Sequence, residues 1–131
     1  IPVIFEIIIP IKNDIVDDCE KFPVLSYGIG KDKNEEQIKE SKKNYVILRL
    51  ASVYGYSTDA MRLNIMPNLF SKISSQNGTI KLFAGGKQLK CLVPLIDTAR
   101  CFKFMEERDD IKFQTFNLSK DKVTVEQVAD I

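Results

Sequence analysis

Lys31-Asp-Lys-Asn-Glu-Glu-Gln-Ile-Lys-Glu-Ser-Lys-Lys43, then Asn44, then Tyr45-Val-Ile-Leu-Arg-Leu50: the architecture is decided at this junction. The first run is rich in Lys, Glu and Gln, with Ile38 its only aliphatic residue. It reads as a solvated helix, one side lined by Ile29, Ile38 and the stem of Lys42. Asn44 ends it, and the β-branched run from Tyr45 reads as a short strand continuing into Ser52-Val-Tyr-Gly55. Upstream, Ile1-Pro-Val-Ile-Phe-Glu-Ile-Ile-Ile-Pro10 has the composition of a buried strand, and Asn13 to Pro23 that of an acidic surface loop. Downstream, Thr58 or Asp59 can cap a helix from Ala60 to about Ser75, with Met61, Ile65, Leu69, Phe70 and Ile73 at helical spacing. Pro67 should kink that helix or begin a second one.

Further along, Asn77-Gly78 is a turn, Thr79 to Phe83 a strand, and Ala84-Gly-Gly-Lys87 a turn into a returning strand over Gln88 to Leu92. Leu95 to Arg108 reads as a helix with Phe102, Phe104 and Met105 on its apolar side, and Lys112 to Asn117 as a strand. Thr124-Val-Glu-Gln127 has the form of a capping box. Helices and strands alternate throughout, so the expected class is α/β with at least part of a parallel sheet.

Composition bounds the function. The 131 residues make a single α/β piece of domain size, 44% hydrophobic and 28% charged. With 19 basic against 18 acidic residues the formal net charge is +1, which favours neither nucleic acid nor an anionic membrane. The apolar run Ile7 to Ile11 is far below the roughly 20 residues of a membrane span. There is no His, so a His triad, a His general base and a His-ligated metal are excluded within this chain. Cys19, Cys91 and Cys101 contain no Cys-x-x-Cys pair, so no metal site is expected, and reduced, buried thiols point to the cytoplasm.

One motif carries chemistry: Ser26-Tyr27-Gly28-Ile29-Gly30-Lys31. A Tyr four residues before a Lys at a helix start places the ammonium one turn from the phenol, on the same face. A free phenol titrates near ~10, too high for ready proton transfer at neutral pH. A neighbouring ammonium favours the phenolate, which would let Tyr27 act as acid or base toward a carbinol proton. Chance pairing is the competing explanation for the motif alone. Arg49, between aliphatic neighbours, suits a structural ion pair at least as well as ligand contact. Asp97 suits ordinary helix-start electrostatics.

In context, the sequence resembles the extended short-chain dehydrogenase/reductase family, specifically its NAD-dependent nucleotide-sugar epimerases and dehydratases. Pro23-Val-Leu-Ser-Tyr-Gly-Ile-Gly-Lys31 is similar to that family's Pro-x-x-x-Tyr-Gly-x-Ser-Lys segment. Tyr45-Val-Ile-Leu-Arg-Leu-Ala-Ser-Val-Tyr-Gly55 is similar to its Arg-x-x-Asn-Val-Tyr-Gly strand end. Ile80 to Lys90 resembles the strand and Gly turn before its Arg-Asp-Phe stretch, Leu95-Ile-Asp-Thr-Ala99 its Val-x-Asp-x-Ala helix opening, and Phe116-Asn-Leu-Ser119 with Val123-Thr-Val125 its closing signature. The five pieces occur in the family's order.

The resemblance implies a Rossmann-like α/β fold, of which residues 1–56 would be the end of the core and 57–131 mainly the substrate-binding region. It implies Tyr27 as catalytic acid/base, and Lys31 as the residue that activates it and holds the nicotinamide ribose of NAD or NADP. Ala51 and Val53 would lie on the cofactor side, and Ser52, Tyr54 and Lys90 would face a nucleotide-sugar substrate. It also implies a homodimer through the helix carrying Lys31, although that helix's low apolar content argues against a large interface.

Departures from the pattern are specific. The Gly-rich cofactor turn is missing from the chain, so the expectation is a C-terminal portion that does not turn over alone. The family's catalytic Ser or Thr would fall at Pro2, Ser52 stands for Asn, Tyr56 for Pro and Cys91 for Asp. Lys90 stands for an Arg, a point charge in place of a bidentate fork. Pro2, Ser52 and Lys90 favour the alternative of a non-catalytic relative binding a nucleotide sugar or a protein. A reductase of the same family acting on another carbonyl is a third reading.

Overall fold

The computed structural model describes residues 3–6, 25–59 and 61–131. They belong to two compact units, one of Ile1–Ala51 and Ala99–Leu118, the other of Ser52–Thr98 and Ser119–Ile131. The expected loop from Asn13 to Pro23, and Cys19 and Pro2, lie outside the described residues.

In the first unit, β1 (Val3–Glu6), β2 (Val46–Leu50) and β5 (Gln114–Leu118) form a wholly parallel sheet in the order β1-β2-β5. Val3 pairs with Val46 and Glu6 with Arg49, while Val46 pairs with Gln114 and Leu50 with Leu118. The helix α1 (Ser26–Glu40) connects β1 to β2, since parallel neighbours need a crossover. A central parallel strand has both faces covered and therefore reads as a continuous apolar run. β2 meets that condition: all five residues are buried, Val46, Ile47 and Leu48 completely. Each of those three side chains contributes roughly 1.5–3 kcal/mol through its removal from water. Tyr45, just before β2, packs edge-on against Phe113 with ring centroids 5.6 Å apart.

The helix α3 (Leu95–Glu106) appears where expected, but its apolar side is narrower than the spacing suggested. Met105 is buried, Phe102 is half-buried, and Phe104 is 49% exposed with Arg108 stacked 5.3 Å from its ring centroid.

The second unit holds a mixed sheet of β3 (Ser52–Tyr54), β4 (Leu89–Pro94) and β6 (Asp121–Thr124), in the order β3-β4-β6. β3 runs parallel to β4 and β6 antiparallel to it, with Leu89 opposite Thr124 and Leu92 opposite Asp121. Two expectations fail here. The helix expected from Ala60 is α2 (Met66–Ser75), with Ile65 as its cap and Pro67 in its first turn. A first-turn proline lacks an N–H the helix would leave unbonded anyway, so Pro67 begins the helix. The Thr58 hydroxyl donates to Asp59 instead of capping. The strand expected over Thr79 to Phe83 does not form, because both edges of β4, its intended partner, are taken by β3 and β6. The chain instead turns at Phe83–Gly86 with positive φ at Ala84, Gly85 and Gly86. At Gly86 an added Cβ would stand 2.8 Å from the Glu126 backbone nitrogen, so the turn and the start of the last helix require glycine there.

That helix, α4 (Val125–Ala129), opens with the expected capping box. The Thr124 hydroxyl accepts from the Gln127 N–H at 3.2 Å, and the Gln127 carboxamide oxygen accepts from the Thr124 N–H at 2.8 Å. Thr124→Ala should cost about 0.5–2 kcal/mol, read as a lower urea midpoint at unchanged slope.

Candidate functional site

In the first unit, α1 begins at Ser26 and so includes both members of the predicted pair. The Lys31 Nζ lies 5.7 Å from the centroid of the Tyr27 ring, the one-turn proximity the spacing requires. Tyr27 is 59% exposed and Lys31 half-buried, so the pair is open to a ligand. Ala51 follows β2 directly, and its N–H donates to the Leu118 carbonyl at 2.9 Å.

The solvated helix expected from Lys31 to Lys43 needs two corrections: it ends at Glu40, with Ser41 and not Asn44 after it, and its face is not wholly solvated. Glu35, a turn beyond Lys31, is completely buried. Its Oε1 accepts from Arg49 Nη2 at 2.6 Å and from Lys39 Nζ at 2.6 Å, and its Oε2 accepts from Arg49 Nε at 3.2 Å. A carboxylate enters an interior only with such partners, because its desolvation costs far more than one neutral hydrogen bond returns. Arg49 is thus the ion-paired structural residue of the two roles open to it, and Ile29, 40% exposed, is not the anchor of this helix.

In the second unit, β3 carries Ser52, Val53 and Tyr54 in register with Leu92, Val93 and Pro94 of β4. A concavity of about 150 Å³ is lined here by Val53, Tyr54, Gly55, Ser57, Met61, Arg62, Asn68 and Leu95. The structure therefore gathers Val53 and Tyr54 at one cavity and leaves Ser52 and Lys90 outside its lining. Lys90 is exposed on β4, opposite Val123 of β6.

Asn68 organises this wall and went unread in the sequence. It is 6% exposed; its Oδ1 accepts from the Gly55 N–H at 3.1 Å and its Nδ2 donates to the Arg62 carbonyl at 3.0 Å. Gly55 has φ 146°, and a Cβ there would press on the Leu95 Cβ at 3.1 Å. One amide thus ties the Tyr54-Gly55 turn to the loop before α2. The available signal was an amide directly after Pro67 in a helix's first turn, which is too common to stand out. Asn68→Ala strands a part-buried N–H and a carbonyl, and about 1–3 kcal/mol should be lost, measurable as a lower thermal midpoint.

Among the described residues, no cluster of three or more Cys, Asp or Glu could hold a metal ion, and no helix is long and apolar enough to cross a membrane. Cys91 and Cys101 are free and half-buried, less enclosed than expected. Partial burial raises the Cys101 pKa, keeping it a neutral thiol and a weak nucleophile at neutral pH.

No protein-family model matches the chain, and no curated protein sequence does either. Solved structures do match. The chain is similar to UDP-glucose 4-epimerase of Thermotoga maritima, solved with UDP-glucose, at 22% identity and TM-score 0.82, over 98% of this chain and 44% of that one. It is similar to UDP-glucuronic acid 4-epimerase of Bacillus cereus, solved with UDP-glucuronic acid and NAD, at 18% identity and TM-score 0.79, over 94% and 41%. It is also similar to UDP-glucose 4-epimerase of Thermus thermophilus, solved with NAD, at 15% identity and TM-score 0.78, over 98% and 45%. The chain spans less than half the length of these proteins. At that coverage and identity the likeness is one of fold: the chain is built as the C-terminal part of an NAD-dependent UDP-sugar 4-epimerase is built.

Proposed function

We propose that the chain is the C-terminal part of an NAD(P)-dependent nucleotide-sugar epimerase or dehydratase acting on a UDP-sugar. The observation that supports this most directly is the accessible Tyr27–Lys31 pair on one face of α1, in a chain whose fold matches such epimerases. The donor set suits the cofactor: a phenol and an ammonium side by side match the hydroxyls of a nicotinamide ribose. The chain's own glycines include no Gly-rich turn opening a helix after a strand, so these residues hold only that end of the dinucleotide. When bound, NAD supplies a hydride acceptor and donor.

The chain's part is proton transfer and binding. Tyr27 accepts the proton of a sugar hydroxyl on its phenolic oxygen and later returns it, and the Lys31 ammonium favours the deprotonated oxygen present before the first transfer and after the second. Ala51 and Val53 lie on the cofactor side, and Ser52 and Tyr54 on the sugar side. Lys90 meets the diphosphate with a single charge, which holds it more loosely than an Arg fork would. Residues 57–131 serve mainly substrate binding, and the site of action is the cytoplasm.

The test is to incubate the intact parent protein with NAD and a panel of UDP-hexoses, following sugar stereochemistry by proton NMR. Conversion of at least one sugar is expected. Binding without conversion would replace this reading with that of a nucleotide-sugar binding module, and the absence of both would overturn each.

A further inference from the structure

Helix α1 is held in an unusual way. A helix on a sheet is ordinarily fixed in rotation by an apolar stripe. Here Glu35 is the one buried residue of α1, and the helix start at Leu25 has no side-chain cap. Among the described residues, α1 is held to the sheet by an ionic clamp: the Glu35 carboxylate gripped through both oxygens by the Arg49 fork of β2, with Lys39 adding a third contact. Arg49 is itself fixed, being 7% exposed in the central strand and in register with Glu6 of β1 and Asn117 of β5.

Tyr27, Lys31 and Glu35 are spaced at successive fours along the helix. Each step of four advances roughly 6 Å and turns roughly 40°, so the three occupy one gently winding stripe. A rotation of α1 about its axis would sweep the phenol and the ammonium with it. Rate depends on such placement: a misplacement of about 1 Å can cost ~10²-fold.

We propose that Glu35 and Arg49 are positioning residues, setting the rotation of α1 so that Tyr27 and Lys31 face the reacting sugar at a fixed angle. The inference rests on the reading of Tyr27 as acid/base. Neither Glu35 nor Arg49 touches substrate in this role; both act through the helix.

The test uses the intact, NAD-loaded parent enzyme, with kcat expressed per folded molecule. Glu35→Leu with Arg49→Met replaces the clamp by apolar packing and is expected to fold, since exchanging both members of a buried pair for hydrophobic residues is often neutral. Its kcat should drop by about tenfold to a hundredfold with the UDP-sugar KM nearly unchanged. Arg49→Lys keeps the charge but loses the fork, and should show the same split to a smaller extent if the double variant does not fold. A 3-fluorotyrosine incorporated in place of Tyr27 should give one sharp fluorine resonance in the wild type and a broadened or split one in the double variant. A folded double variant with wild-type kcat and an unchanged resonance would overturn the proposal. Tyr27→Phe assayed alongside separates the two readings. Full turnover there removes the acid/base role, and the clamp is then judged by the fluorine resonance alone.

Discussion

Tyr27→Phe in the intact enzyme is expected to lower kcat by about 10²–10⁴-fold, the range over which a positioned acid/base contributes. NAD binding and the thermal midpoint should stay nearly unchanged. The change removes one hydroxyl and leaves the ring, which is 59% exposed. The Lys31 ammonium keeps an aromatic face 5.7 Å away, so the local electrostatics of the helix survive. What disappears is the atom that exchanges the proton. Steady-state kinetics on the converted UDP-sugar, with NAD affinity measured by calorimetry, make the comparison. Retained turnover would remove Tyr27 from the chemistry.

The second large effect concerns stability. Arg49→Met is expected to cost about 3–5 kcal/mol, because it leaves a carboxylate buried without its fork. Lys39 still reaches Oε1, but Oε2 of Glu35 loses the Arg49 Nε that faced it. Against a typical net stability of about 5–15 kcal/mol, that loss is a large fraction of the total. Adding Glu35→Leu should recover most of it, since the Glu35 carboxylate is then no longer buried without its fork. Lys39, with a side chain 40% exposed, turns to solvent at little cost. Urea unfolding of the two single variants and the double variant gives the coupling directly. Equal losses in the single and double variants would show that the ion pair contributes packing alone.

Much of the fold was legible from local patterns. β2 was readable from Val46 to Leu50 because a central parallel strand is apolar on both faces, and the pattern needs no alternation. The capping box at Thr124 was readable because both of its hydrogen bonds close within one turn of chain. Pro67 admitted a kink or a start, and the missing N–H made it a start. The Tyr27–Lys31 pair was readable for the same reason as the capping box: helical spacing alone sets its proximity.

Failures came wherever a partner distant in sequence decided the outcome. Thr79 to Phe83 has the composition of a strand, yet a strand needs an edge, and β3 and β6 occupy both edges of β4. The apolar spacing of Leu95 to Arg108 could not foretell that Phe104 lies outward under Arg108 while Met105 is buried. Asn68 is an ordinary amide until the fold brings the Gly55 N–H to it.

By itself, then, the sequence determined the α/β alternation, the central strand, the capping box at Thr124 and the one-turn spacing of a phenol and an ammonium. Each depends on dihedral preference, periodicity or bonds closed within a few residues. Only the tertiary structure decided that Glu35, in a run of Lys, Glu and Gln, is completely buried, and that Arg49, in an apolar strand, is its partner. The burial of a charge is a property of the pair: desolvation forbids either residue alone, and 14 positions of chain separate them.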